Sequence, residues 1–179
     1  MKKIFLVFLL ISLSCSKKQD LKIQGKDKAI VFFDPITLGS SGVDAAGLKI
    51  NARFSECGEW GGHHEDIKIF AKEGNYKDCF LNYIKTNIDC EKRDNNGRNI
   101  EAIVAQKTIK LTDSNKKSII EYMKRMIDSK AGERFPGHAG DSFSIINSDS
   151  TFVIKVYDYN SKNLKSYNQL LAELRLSKK

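Results

Sequence analysis

The hydrophobic pattern of this 179-residue chain switches period near residue 112, and that switch constrains the fold more than any single motif. Before it, apolar side chains recur at every second position, as in Leu48, Ile50, Ala52 and Phe54. After it, Ile119, Ile120, Met123, Met126 and Ile127 recur at steps of three and four. A period of two sends side chains to alternate faces of a strand, whereas a period near 3.6 gathers them on one stripe of a helix. Strands followed by helices, rather than strict strand–helix alternation, predict an α+β domain.

The extended part divides at turn residues. Ala29-Ile30-Val31-Phe32-Phe33 before Asp34-Pro35 reads as a first strand, and residues 39–47, rich in Gly, Ser and Ala, as a loop. Strands follow at 48–57, 64–72 and 77–89, separated by Gly58-Glu59-Trp60-Gly61-Gly62 and Lys72-Glu73-Gly74-Asn75. Residues 77–89 also fit a helix through Phe80, Ile84 and Ile88. Flanking tight turns and the Thr, Tyr and Ile content favour the strand. Asp94-Asn95-Asn96-Gly97 turns the chain into a last run from Ile100 to Leu111, which completes a four-stranded antiparallel meander.

Residues 113–130 form the first helix, started by Thr112 or Asp113 and ended by Gly132. Residues 143–146 and 152–157 flank Asn147-Ser148-Asp149-Ser150 as a hairpin. Leu164, Tyr167, Leu171 and Leu174 mark a final amphipathic helix. The expected architecture is an antiparallel β-meander sheet with two amphipathic helices packed on one face, in a single domain over residues 27–179.

The first residues carry an address. Met1, Lys2 and Lys3 precede an apolar run, Ile4 to Leu13, broken only by Ser12. Small Ser14 then precedes Cys15. A basic start, an apolar core and a small-residue cleavage site define a secretory signal. The run is about half the roughly 20 residues that span a bilayer as a helix, and no other stretch approaches that length. Ser12-Leu13-Ser14-Cys15 resembles the lipobox of bacterial lipoproteins, although Ser12 stands where that pattern usually has Leu. The resemblance is confined to residues 1–15. It implies a signal peptide over residues 1–14, a lipid on Cys15 that anchors the chain to a membrane, and residence in the bacterial cell envelope, at the outer membrane or the periplasmic face. Residues 15–26 then form a polar tether.

The chain has 30 basic and 22 acidic residues, a formal net charge of +8, which falls to +6 once Lys2 and Lys3 leave with the signal. Lys116, Lys117, Lys124, Arg125 and Lys130 share the first helix, as expected of a solvated face; a mildly basic face also suits anionic lipid or glycan. A nucleic-acid partner is not expected in the envelope.

With Cys15 lipidated, Cys57, Cys79 and Cys90 remain for an oxidising compartment, so one pair should bridge. Cys79 and Cys90 would stand about 16 Å apart in one helix or about 36 Å in one strand, too far for a disulfide. In the meander, Cys57 and Cys90 end at the same edge and Cys79 at the other. The expected bridge is Cys57–Cys90.

The same edge holds Trp60, His63, His64 and Glu65, which with Arg134 and His138 of the second glycine-rich loop, 132–141, form the candidate binding surface. Its expected role is recognition of an envelope protein or glycan. A soft metal would need Cys57 and Cys90 as thiolates beside His63 and His64; oxidation competes, and neighbouring residues on a strand face apart. No metal site and no cofactor are therefore expected. Gly39-Ser40-Ser41-Gly42 falls short of a nucleophile elbow, and the reading leans away from an enzyme. What remains is a lipid-anchored binding or interaction module. The alternatives are an immunity or inhibitor lipoprotein against a secreted protein, and a metal-binding lipoprotein.

Overall fold

The computed structural model describes residues 33, 38, 42, 44–58, 61–133, 140–158 and 160–177. The signal, Cys15, the tether and residues 29–32 of the expected first strand lie outside them. The described residues contain strands β1 (Leu48–Arg53), β2 (His64–Lys72), β3 (Asn75–Arg93), β4 (Asn99–Lys110), β5 (Asp141–Asn147) and β6 (Val153–Asp158). Two helices accompany them, α1 (Asp113–Ala131) and α2 (Lys162–Glu173). The arrangement is α+β, with one open antiparallel sheet of order β4-β3-β2-β1-β5-β6.

The meander accounts for β1 to β4. The hairpin β5–β6 joins the other side of β1, where Ile50 pairs with Ile145 and Ala52 with Phe143. On the inner face Leu48, Ile50, Ile67, Ile69 and Leu81 are fully buried. They share one core cluster with Ile119, Tyr122 and Met126 of α1 and Tyr167 and Leu170 of α2. The helices touch each other and β6.

Local chemistry sets the helix starts. Thr112 Oγ1 accepts from Asn115 N at 3.2 Å and Asn115 Oδ1 accepts from Thr112 N at 3.0 Å, a reciprocal cap on α1. Gly132 ends that helix in right-handed conformation, φ −90°, so its glycine freedom is not what stops the helix. In α2 the cap residue Ser161 makes no side-chain bond. Asp158 does that work, accepting from Asn163 N at 3.3 Å and Leu164 N at 3.0 Å.

Strand length decides where the site forms. β3 has 19 residues and β2 only 9. The β2–β3 register ends at Glu65 opposite Lys85, while β3 continues to pair with β4 as far as Arg93 opposite Asn99. Residues 86–93 and 99–103 therefore leave the sheet as a two-stranded ribbon, with register shifts at Lys85/Thr86 and Asp89/Arg93. Such irregularities bend the strand and raise its twist. Thr86 bridges the departure: its Oγ1 accepts from His64 N at 2.9 Å and stands 3.1 Å from His64 O, replacing the next ladder pair.

Candidate functional site

The β1–β2 connection is closed from several directions. Phe54 N donates to His63 O at 3.0 Å and Cys57 N to Gly61 O at 2.7 Å. Glu56 accepts from His63 N at 2.9 Å and meets His63 Nδ1 at 2.5 Å. A side chain at Gly62 would collide with the Phe54 carbonyl oxygen, so the chain passes only as glycine. Asp141, at the end of the second glycine-rich loop, accepts from Ser55 N and Ser55 Oγ, both at 3.0 Å. The ends of the two loops thus meet. Cys57 of the first loop is bridged to Cys90 of the ribbon, with Cα atoms 5.4 Å apart. The bridge is therefore the one expected. The bending ribbon closes the two-strand gap that separates these positions in a flat sheet.

His63 and His64 face opposite sides. His63 is buried on the inner side at 9% exposure, its ring stacked on Phe54 with centroids 4.1 Å apart. Its Nε2 stands 3.5 Å from Glu65 Oε1 without a hydrogen bond. Glu65 shares the parity of Ile67 and Ile69 and is buried at 3%. Lys85 Nζ reaches its Oε1 at 2.8 Å; the hydroxyls of Tyr83 and Tyr167 donate to its Oε2 at 2.8 and 3.1 Å. Burial alone would push the Glu65 carboxyl up, but the Lys85 and Tyr83 hydrogen bonds, the Lys85 charge and Tyr167 outweigh it and hold it below the usual range. Burial and the same carboxylate push both tyrosines up. Every oxygen of Glu65 is occupied, and this cluster is closed.

The outer side is open. His64 Nδ1 lies 2.6 Å from Glu101 Oε1 and Nε2 3.6 Å from Asp66 Oδ2. Thr86 Oγ1 is 2.7 Å from Glu101 Oε1. His64, Asp66 and Glu101 line a groove of about 480 Å³ between the sheet and the ribbon. Asn51, Arg53, His64 and Asp66 form the sheet side; Ile88, Arg93, Arg98, Asn99 and Glu101 form the ribbon side. Arg93 Nη1 donates to Gly97 O at 3.0 Å and holds the ribbon turn. None of the three arginines has a carboxylate at ion-pair distance among the described residues. The Asn99 Oδ1 is buried without a partner. A smaller hollow near Glu133, about 160 Å³, has its carboxylate already paired with Lys130.

Of the six residues anticipated as a surface, Trp60, Arg134 and His138 lie outside the described residues. His63 and Glu65 belong to the buried cluster, not to an exposed edge, and only His64 faces the groove. The metal set is not assembled: Cys57 and Cys90 are bridged, and the histidines are on opposite faces. Among the described residues no group of three or more His, Cys, Asp and Glu is placed to hold a metal ion. Cys79 is buried at the far end of β3, with its thiol donating to Phe33 O at 2.6 Å. Arg53, Arg93 and Arg98 were missed because they are dispersed in the chain. No described helix is long and apolar enough to cross a membrane. No protein-family model matches the chain, and no curated protein matches it.

Proposed function

We propose that the chain is a lipid-anchored module of the bacterial cell envelope that binds a ligand in the groove between sheet and ribbon. The observation that carries the reading is a groove lined by three arginines, none at ion-pair distance from a carboxylate among the described residues, whose two rims are tied by Cys57–Cys90. A charged donor without an internal partner is available to a ligand, and a bridge across the rims lowers the ordering cost of binding. The oxidised bridge suits an oxidising compartment, in keeping with the secretory signal. In this reading both helices cover the inner face, which is supported by their shared core cluster with the inner strand residues, and the outer face is left for the ligand.

Two measurements test it. Palmitate labelling of the wild type should disappear in Cys15→Ala; equal labelling overturns the anchor. Affinity capture from envelope extracts should retain material on the wild type and lose it in Arg53→Ala/Arg98→Ala. Equal capture by the two overturns the groove as the binding surface.

A second reading, an immunity or inhibitor lipoprotein, is favoured by the sheet edge. β4 is a terminal strand with Ile103 61% and Val104 49% exposed, a surface to which an extended segment of a secreted protein can add as a further strand. Glu substitution at Ile103 and Val104 should then abolish capture while the arginine variant leaves it intact.

A further inference from the structure

We infer that the ligand of this groove is an acidic saccharide, a pyranose carrying a carboxylate. The inference rests on the groove being the binding surface and names its chemistry. Three guanidiniums stand against the two carboxylates of Asp66 and Glu101, an excess of one arginine over the carboxylates. That balance suits a monoanion. Arg53 and Arg98 line the groove with exposed guanidiniums, that of Arg98 also acting on Asp94 by charge alone, and a guanidinium fork matches a carboxylate in two parallel bonds.

The remaining groups choose among anions. Asp66 and Glu101 repel a bare multivalent anion, but they accept from hydroxyl groups. Asn51 gives its amide N–H to Asp66 Oδ1 and Ile50 O, both at 3.3 Å, which leaves its amide oxygen as an acceptor. Ile88 gives an apolar contact for the C–H face of a ring. A ligand with one acid, several hydroxyls and a flat apolar face answers all of these together. A groove of about 480 Å³ lies within the range of small-ligand sites, roughly 300–1,000 Å³. Inorganic phosphate uses only the arginines, and a neutral sugar leaves them unused.

The test is calorimetric titration of the full lipidated chain in detergent with three probes: galacturonate, a disaccharide with a single glucuronate and the N-acetylmuramyl disaccharide. The neutral counterparts, inorganic phosphate and phosphatidylglycerol vesicles are titrated alongside. At least one acidic sugar should bind about tenfold more tightly than its neutral counterpart and than phosphate. Arg98→Ala and Arg53→Ala should each weaken it about tenfold, and Arg98→Lys should restore only part of the loss. Thermal unfolding of each variant at the wild-type midpoint separates lost contacts from lost fold. Equal binding of acidic and neutral sugars, equal binding of phosphate, preference for the vesicles, or no binding of any acidic sugar overturns the inference. If no acidic sugar binds while envelope capture still depends on Arg53 and Arg98, the inference fails and the groove reading stands. Loss of both fails both.

Discussion

His63 and His64 are adjacent in the chain, and each meets two carboxylates, yet their surroundings differ in kind. His63 lies with Glu56 and Glu65 inside a closed cluster where Lys85, Tyr83 and Tyr167 use every oxygen of Glu65. His64 lies with Asp66 and Glu101 at the wall of a groove whose arginines retain unused donors. Glu65 is buried with both oxygens paired, whereas the carboxylates beside His64 are part-exposed. A buried charge with all its partners tolerates no loss; an exposed pair costs little to break.

The sharpest break of this comparison is Glu65→Ala. It leaves Lys85 and two tyrosine hydroxyls without their acceptor, and should cost about 3–5 kcal/mol in denaturant unfolding. Glu65→Gln, which still accepts from the tyrosines, should cost less. A loss under about 1 kcal/mol for Glu65→Ala would remove the inner cluster as a stabilising unit. Next comes the bridge. Its cysteines are 33 residues apart, so the paired change Cys57→Ser/Cys90→Ser should cost about 3–4 kcal/mol by the chain-entropy estimate. It should also weaken groove binding, because the ribbon rim is no longer held to the β1–β2 loop. Unchanged affinity in this variant would show that the rims are positioned without the bridge.

The inner cluster was more legible in the sequence than the groove. Glu65 has the parity of Ile67, Ile69 and Ala71, so the alternation that defines β2 already places a carboxylate on the apolar face. Its nearness to the glycine turn suggested an exposed edge instead. What fixes its burial is non-local: Tyr167 approaches from a helix 102 positions away. The bridge was legible because strand direction alone brings Cys57 and Cys90 to one edge. The groove was not. Arg53 is far in sequence from Arg93 and Arg98, and they meet only because β3 outruns β2 and bends at Thr86. The one signal available was the disparity between the runs 48–57 and 64–72 that flank the Gly58–Gly62 turn and the longer run 77–89.

Acid should weaken the inner cluster. Glu65 and Glu56 have folded pKa values below the ordinary 4.5; for Glu56, burial raises it, and hydrogen bonds from the His63 backbone and ring outweigh that. Groups depressed in this way contribute fully above the unfolded pKa, and the contribution is lost as pH falls through the folded one. Unfolding midpoints followed downward from neutral pH should therefore decline below about 4.5, with a shallower decline in Glu65→Gln. Glu56 is half exposed at its side chain and contributes the smaller part. An identical acid limb in the variant would show that Glu65 is not the group titrating.

The smallest effect is the most discriminating, because it compares neighbours. His63→Ala removes a ring stacked on Phe54, opens a void and takes the ring nitrogen from Glu56, which keeps the backbone N–H; about 2 kcal/mol or more should be lost. His64→Ala removes only pairs with carboxylates that are themselves 28% and 36% exposed, and should cost less than about 1 kcal/mol. Thr86 holds the backbone of residue 64, not its ring, so the β2–β3 join survives that substitution. In the groove the order reverses. Without His64, Asp66 and Glu101 turn more of their charge toward the arginines, and binding of an acidic ligand should weaken severalfold, while His63→Ala leaves the groove lining unchanged. Equal stability losses for the two histidines, or equal binding losses, would show that the sheet does not separate the two functions.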